Sequence, residues 1–278
     1  MFFTCADLDG CLAEGHSRRV ARATSADGTG IAFDSVGDGA AVVIVNGAFS
    51  TAADAAEFAA ELALAGFRAV TFDRRARAGS GDTSPYAPER EAEDLAAVIA
   101  AAGGTAGVVG HSSGAVLALF AASLGVPTGH LFLSEPPFRF GEGEPPADLP
   151  ERMQALIDEG RPDEAVVAFQ LEAVGMPQPV IDQVRASPMF ASLVALAQSA
   201  VYDATLARAV STPTDAMLAV AAPVTVVSGA ETIPFLRVSA ERLAGLIAGA
   251  EFVEVPESVG HRLDPAATTR VIAERLPS

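Results

Sequence analysis

The chain contains no lysine; all 18 of its basic residues are arginine. Schiff-base chemistry and a P-loop both need a lysine amine, so both are excluded. Basic residues are also few against 35 acidic ones, which leaves a formal net charge of −17. So acidic a surface argues against nucleic acid or an anionic membrane as partner, because both require a basic face. Cysteine is scarce: Cys5 and Cys11 form a single C-x5-C pair, a poor zinc pattern that reads as two reduced thiols. No metal and no cofactor are expected. Long apolar runs are missing too. No stretch reaches the roughly 18 uncharged apolar residues of a membrane-spanning helix. The opening "MFFTCADLDGCLAEG" has no basic segment of the kind a secretory leader carries. A cytoplasmic protein acting on a small molecule is therefore the expectation, with the oligomeric state open.

What is present is an alternation. Half of the 278 residues are hydrophobic, enough for a sizeable core. Residues 1–20 show no clear period and read as an N-terminal extension that the sequence gives no reason to order. The segment 20–39 alternates and turns at "DG" and "GDG", predicting a hairpin. A continuous apolar run at 40–48 predicts a strand buried on both faces, and further strands are read at 67–73, 105–111, 129–135, 222–229 and 251–257. Helical periods occupy 51–66, 88–104, 113–125, 234–250 and 264–276, the first opened by a Thr51/Asp54 capping signal. Strands alternating with helices predict an α/β fold with a mostly parallel sheet covered on both faces. The alternation breaks at 136–221. This stretch opens on the proline- and glycine-rich "PPFRFGEGEPPADLP" and continues in helical patterns at 151–160, 162–175 and 179–202. The expected organisation is an extension at 1–20, a core from 21–135 and 222–278, and a helical lid at 136–221.

The segment "GHSSG" (110–114) lies where a strand meets a helix and fits G-x-S-x-G. Such a sharp turn needs small flanking residues so that the serine hydroxyl can stand clear of the sheet edge. Ser112 is therefore the candidate nucleophile, and the Ser113 N–H, at a helix start, a candidate oxyanion donor. Of the four histidines, His16 lies in the extension, His111 inside the turn and His130 at a strand start. His261, in a loop beyond the last strand, is the candidate base.

These residues, together with "IVNGAFS", "DRRARAGSGDT" and "VGHRLDP", resemble the α/β-hydrolase superfamily over roughly residues 22–277. The resemblance implies an eight-stranded sheet and a second oxyanion donor after the third strand. There Asn46-Gly47 stands for the family's His-Gly, so the matching donor is the Ala48 N–H. The family usually takes its acid from the loop after "PVTVVSG", where this chain has Thr232 at the expected position and Glu231 one residue early. Some members, the haloalkane dehalogenases among them, take it from the end of the preceding strand instead, which here is Glu135. Glu135 is the preferred acid and Glu231 the alternative. A serine nucleophile disfavours dehalogenase and epoxide hydrolase chemistry, which use aspartate. The arginine-rich 73–83 segment reads as structural.

The expected activity is hydrolysis of small, mainly apolar carboxylic esters or lactones through an acyl-enzyme. Phe49, Phe138, Phe140, Met176, Met189 and Phe190 are candidates to line the substrate pocket. The same residues could serve C–C bond hydrolysis or peracid formation, and a ligand-binding protein without turnover is the reading from outside catalysis.

Overall fold

A computed structural model describes residues 21–277. The extension at 1–20, with Cys5, Cys11 and His16, lies outside the described residues. Eight strands form one sheet: β1 (Ala21–Thr24), β2 (Gly30–Val36), β3 (Ala41–Val45), β4 (Arg68–Phe72), β5 (Ala106–His111), β6 (Thr128–Ser134), β7 (Val224–Glu231) and β8 (Glu251–Val259). Their spatial order is β1-β2-β4-β3-β5-β6-β7-β8. The hairpin β1–β2 and the β2–β4 pair are antiparallel; every pairing from β4 to β8 is parallel.

The central parallel strand β3 is a short run of Val, Ile and Ala because both its faces are covered, whereas β8 at the sheet's edge is glutamate-rich and mostly exposed. Side chains alternate across the sheet, so Val43 and Val45 enter one core while Val42 and Ile44 enter the other. The first core packs against α2 (Pro88–Ala101), α3 (Ser113–Ser123) and α10 (Pro234–Leu246). The second packs against α1 (Ala56–Leu64) and α11 (Pro265–Ala273) through Phe58, Leu62 and Ile272. Ahead of α1 a short 3-10 turn, Ala52–Ala55, takes the capping signal: Asp54 accepts from the Thr51 N–H at 2.7 Å.

Between β6 and β7 the chain forms six helices: α4 (Leu149–Asp158), α5 (Pro162–Ala168), α6 (Gln178–Arg185), α7 (Met189–Val194), α8 (Ala197–Ala209) and α9 (Asp215–Leu218). A π-helical turn, Phe169–Val174, continues α5. The single helical period expected over 179–202 is instead three elements. Pro188 has no N–H to continue α6, and Leu196 leaves helical geometry before α8 begins. α4, α5 and α8 share a core of their own around Met153, Phe169 and Tyr202. Among the described residues no helix is long and apolar enough to cross a membrane.

Candidate active site

Parallel strands end at one edge of the sheet, and the loops leaving β3, β5, β6, β7 and β8 meet there. Ser112 follows β5 with φ 54° and ψ −125°, a conformation that L-residues rarely adopt. Its N–H donates to the Ser134 carbonyl at 2.9 Å, so the bend is held by the β5–β6 ladder. The glycines on either side are there for close approach. A Cβ on Gly114 would lie 2.0 Å from the Val45 oxygen, and one on Gly110 would lie 2.5 Å from the Ala115 Cα. The turn thus presses α3 directly onto β3 and β5. In the first turn of α3 the Ser113 N–H has no intrahelical acceptor.

Glu135 leaves β6 at φ 48°, its N–H donating to the Val227 carbonyl at 2.9 Å. The side chain is buried and crosses to β7, where Oε1 accepts from the Gly229 N–H at 2.9 Å. Oε2 lies 2.5 Å from Nδ1 of His261. Burial works to raise the Glu135 pKa, but the bonds from His261 and Gly229 outweigh it and hold the carboxyl below its ordinary value. Gly229 leaves room for this crossing, since a Cβ there would sit 3.3 Å from Glu135 Oε1 and 2.2 Å from the Ser258 oxygen. Glu231, by contrast, is exposed at the tip of β7, paired in register with Val259. Between Gly229 and Glu231 the partner on β8 moves from Val255 to Val259, so β8 carries two extra residues there, and the carboxylate that meets His261 is that of Glu135.

His261 follows β8 in a tight turn with φ 61°. With Nδ1 taken up by Glu135, its Nε2 is the ring nitrogen available for proton exchange. His111 packs beside it with the rings tilted by 34° and their centroids 4.7 Å apart, its own Nδ1 3.2 Å from the Ser134 hydroxyl. Burial, reinforced by His261, pushes the His111 pKa down to about 4, so this ring is neutral at pH 7 and adds no charge beside His261.

Under the 46–50 loop lies a buried ion network. Arg74, Arg75 and Arg77 are among the largest fully buried side chains. Arg74 pairs with Glu91 and Asp203, and Arg75 with Asp94 and Asp27. Arg77 pairs with Asp203 and donates to the carbonyls of Gly47 and Ser50, at 2.6 and 2.9 Å. Asp203 comes from α8 and also accepts from the Ser113 hydroxyl at 2.7 Å. One carboxylate therefore joins the 136–221 insertion to both candidate oxyanion segments. The arginine-rich segment is structural in this sense, and its partner Asp203 carried no motif by which the sequence would have revealed it.

A cavity of ≈ 330 Å³ opens over these groups, lined by Ala48, Phe49, Ser112, Ser113 and His261 together with Pro137, Arg139, Phe169, Val174, Ile233, Phe235 and Leu236. The walls are mainly apolar, the usual character of a small-molecule site. Of the expected lining residues only Phe49 is among them. Phe138 is 2 % exposed and points into the core, and Phe140 packs against that core beneath the Arg242 guanidinium. Met189 is exposed, and neither Phe190 nor Met176 borders the cavity. The apolar wall comes instead from the start of α10 and from the π-helical turn. The first of these could have been inferred, since Ile233–Leu236 directly follow β7 at the sheet edge. Among the described residues no group of three or more His, Cys, Asp or Glu side chains is placed to hold a metal ion.

Residues 42–274 match the model of the alpha/beta hydrolase family. An alpha/beta hydrolase from Sphaerobacter thermophilus DSM 20745 is 41 % identical, with a TM-score of 0.84 over 91 % of this chain and 99 % of its own. An esterase from Exiguobacterium antarcticum (20 % identity, TM-score 0.71, 92 % and 98 % covered) shares the fold. So does the enol-lactonase from Burkholderia xenovorans LB400 (18 %, 0.67, 91 % and 98 %). No curated protein matches the sequence. With its sheet order, its bend at Ser112 and a family match spanning β3 to α11, the chain belongs to the alpha/beta hydrolase family.

Proposed function

We propose that this protein hydrolyses small carboxylic esters or lactones through an acyl-enzyme on Ser112. The observation that carries the reading is one cavity containing a serine held at positive φ and a histidine whose Nδ1 is bound, at 2.5 Å, to a buried carboxylate. Ser112 Oγ attacks the carbonyl carbon while His261 Nε2 accepts the hydroxyl proton. The Glu135 carboxylate, kept ionised by its hydrogen bonds to His261 and Gly229, offsets the charge of the imidazolium and holds its orientation. The N–H groups of Ala48 and Ser113 receive the oxyanion, the second aided by the N-terminus of α3. His261 returns its proton to the departing alcohol, then activates a water that releases the acid and regenerates Ser112. The insertion acts as the lid: α8 and the π-helical turn close over the carbonyl site and keep bulk water out. The fold supports this chemistry elsewhere, as the esterase and the enol-lactonase that share it illustrate.

Intact-mass measurement after exposure to a fluorophosphonate tests the assignment. One adduct is expected on the wild-type protein and none on Ser112→Ala, whose turnover of 4-nitrophenyl esters falls by at least about 10³-fold. An adduct of equal yield on Ser112→Ala would overturn it.

A further inference from the structure

We infer that the acyl part of the substrate carries a carboxylate, and that Arg139 binds it; the inference rests on the serine-hydrolase reading above and deepens it. Arg139 lies just after β6 and lines the same cavity as Ser112 and His261. Its guanidinium lies over the Phe235 ring at 4.1 Å from the centroid, and Nη2 donates to the Ala173 carbonyl at 2.7 Å. The backbone is fixed as well, the Arg139 N–H donating to the Ser211 carbonyl at 2.8 Å. One face and one N–H are thereby used to position a group with five donors in a rigid fork.

What the fork lacks is an anion. Arg74, Arg75 and Arg77 each meet carboxylates at 2.7–2.9 Å, whereas among the described residues no carboxylate lies within 4.0 Å of Arg139. Two acidic side chains share the cavity wall. Asp203 is already neutralised by Arg74 and Arg77. Glu144 is exposed and accepts from the Gly141 N–H, acting on Arg139 only through space. Burial lowers the Arg139 pKa, so the cation is held in a site that penalises it until a counter-charge arrives. A planar carboxylate matches the fork and would supply that charge. Ser112 and Arg139 stand on the wall of one mainly apolar cavity, and a carboxylate at the far end of the acyl chain would span from one to the other.

Paired substrates test this directly. Mono-4-nitrophenyl glutarate, adipate and pimelate each differ from the pentanoate, hexanoate and heptanoate esters by a carboxylate in place of the terminal methyl. For at least one pair the wild-type kcat/KM is expected to favour the diacid by tenfold or more. Arg139→Gln should collapse that ratio by tenfold to a hundredfold, with the change mainly in KM, because the contact is made equally in ground and transition states. Arg139→Lys, which keeps the charge and loses the fork, should fall between. Glu144→Gln, an exposed change that folds independently of Arg139, should raise the ratio by removing a like charge. A wild-type ratio at or below one for every pair, or a ratio unmoved by Arg139→Gln, overturns the inference. Wild-type protein that turns over neither member of any pair overturns the serine-hydrolase reading instead.

Discussion

Four side chains that face or orient the cavity hold a positive φ without being glycine: Phe49, Ser112, Glu135 and His261. A non-glycine residue in this region costs on the order of 1–3 kcal/mol, and it persists only where the surroundings over-determine it. Here the sheet does so, through the bonds from Ser112 to Ser134 and from Glu135 to Val227. The strain has a use, because each bend turns a side chain off its strand axis toward a common point. At Glu135 geometry and charge can be separated. Glu135→Gln keeps an acceptor for the Gly229 N–H, but it removes the charge and can present an NH2 group to His261 Nδ1. The wrong tautomer would then leave the ring's other nitrogen protonated. Steady-state kinetics should show kcat reduced by about 10²–10⁴-fold with KM little changed. Glu231→Gln, at the exposed tip of β7, should remain within about twofold of wild type. The reverse pattern would transfer the acid to Glu231.

At the scale of elements, the junction of β3, β5 and α3 sets the geometry, and glycine makes it possible. Gly114→Ala would drive a Cβ to within 2.0 Å of the Val45 carbonyl, backbone against backbone, with no flexible side chain to yield. The upper end of overpacking costs applies, about 3 kcal/mol. For a chain of this size that lowers Tm by roughly 6–12 °C in a thermal melt. Gly245, on α10 with open space around it, is the contrasting case. There alanine removes backbone entropy at no steric cost and should add about 0.5–1 kcal/mol. The same contrast explains what could be read in advance. Buried parallel strands must be continuous apolar runs, so 41–45, 68–72 and 106–111 declare themselves. A serine between two glycines at a strand end marks a bend whatever surrounds it. The choice between Glu135 and Glu231 depends on which carboxylate is carried across the sheet edge to the loop after β8, a tertiary contact that leaves no mark in composition or period. The cavity wall depends on how six short helices turn over the sheet edge. Phe138 and Met189 have the same apolar character as Phe169 and Phe235, yet only the latter two border the cavity.

At the scale of the molecule, a chain of net charge −17 spends three of its 18 arginines as fully buried bolts between layers. The bolt at Asp203 reaches furthest. It ties α8 of the insertion to Arg74 and Arg77 of the β4 loop and to Ser113 at the head of α3. Through Arg77 it also reaches the carbonyls of Gly47 and Ser50, which flank Ala48. Burial and the nearby Arg74 push the Arg77 pKa down to about 10, and Asp203 is foremost among the groups that hold it up. Asp203→Asn keeps the shape and leaves two buried guanidinium groups short of one negative charge. Breaking a buried pair from one side costs about 3–5 kcal/mol. Thermal melts at pH 7 should therefore place the variant roughly 6–20 °C below wild type. Because the 46–50 loop loses part of its anchor, kcat toward 4-nitrophenyl esters should fall by about tenfold or more. The pH dependence has a definite sign. Burial raises the Asp203 pKa, but Arg74 and Arg77 prevail and set it below its ordinary value of 3.8. A lowered carboxyl contributes its full stabilisation above the unfolded value and loses it as pH falls through the folded one. The gap in Tm between wild type and Asp203→Asn should thus be constant from pH 7 to about 4.5 and narrow in more acidic buffer. A gap that widens with acid would show that the stabilisation comes from some group other than the ionised Asp203 carboxylate.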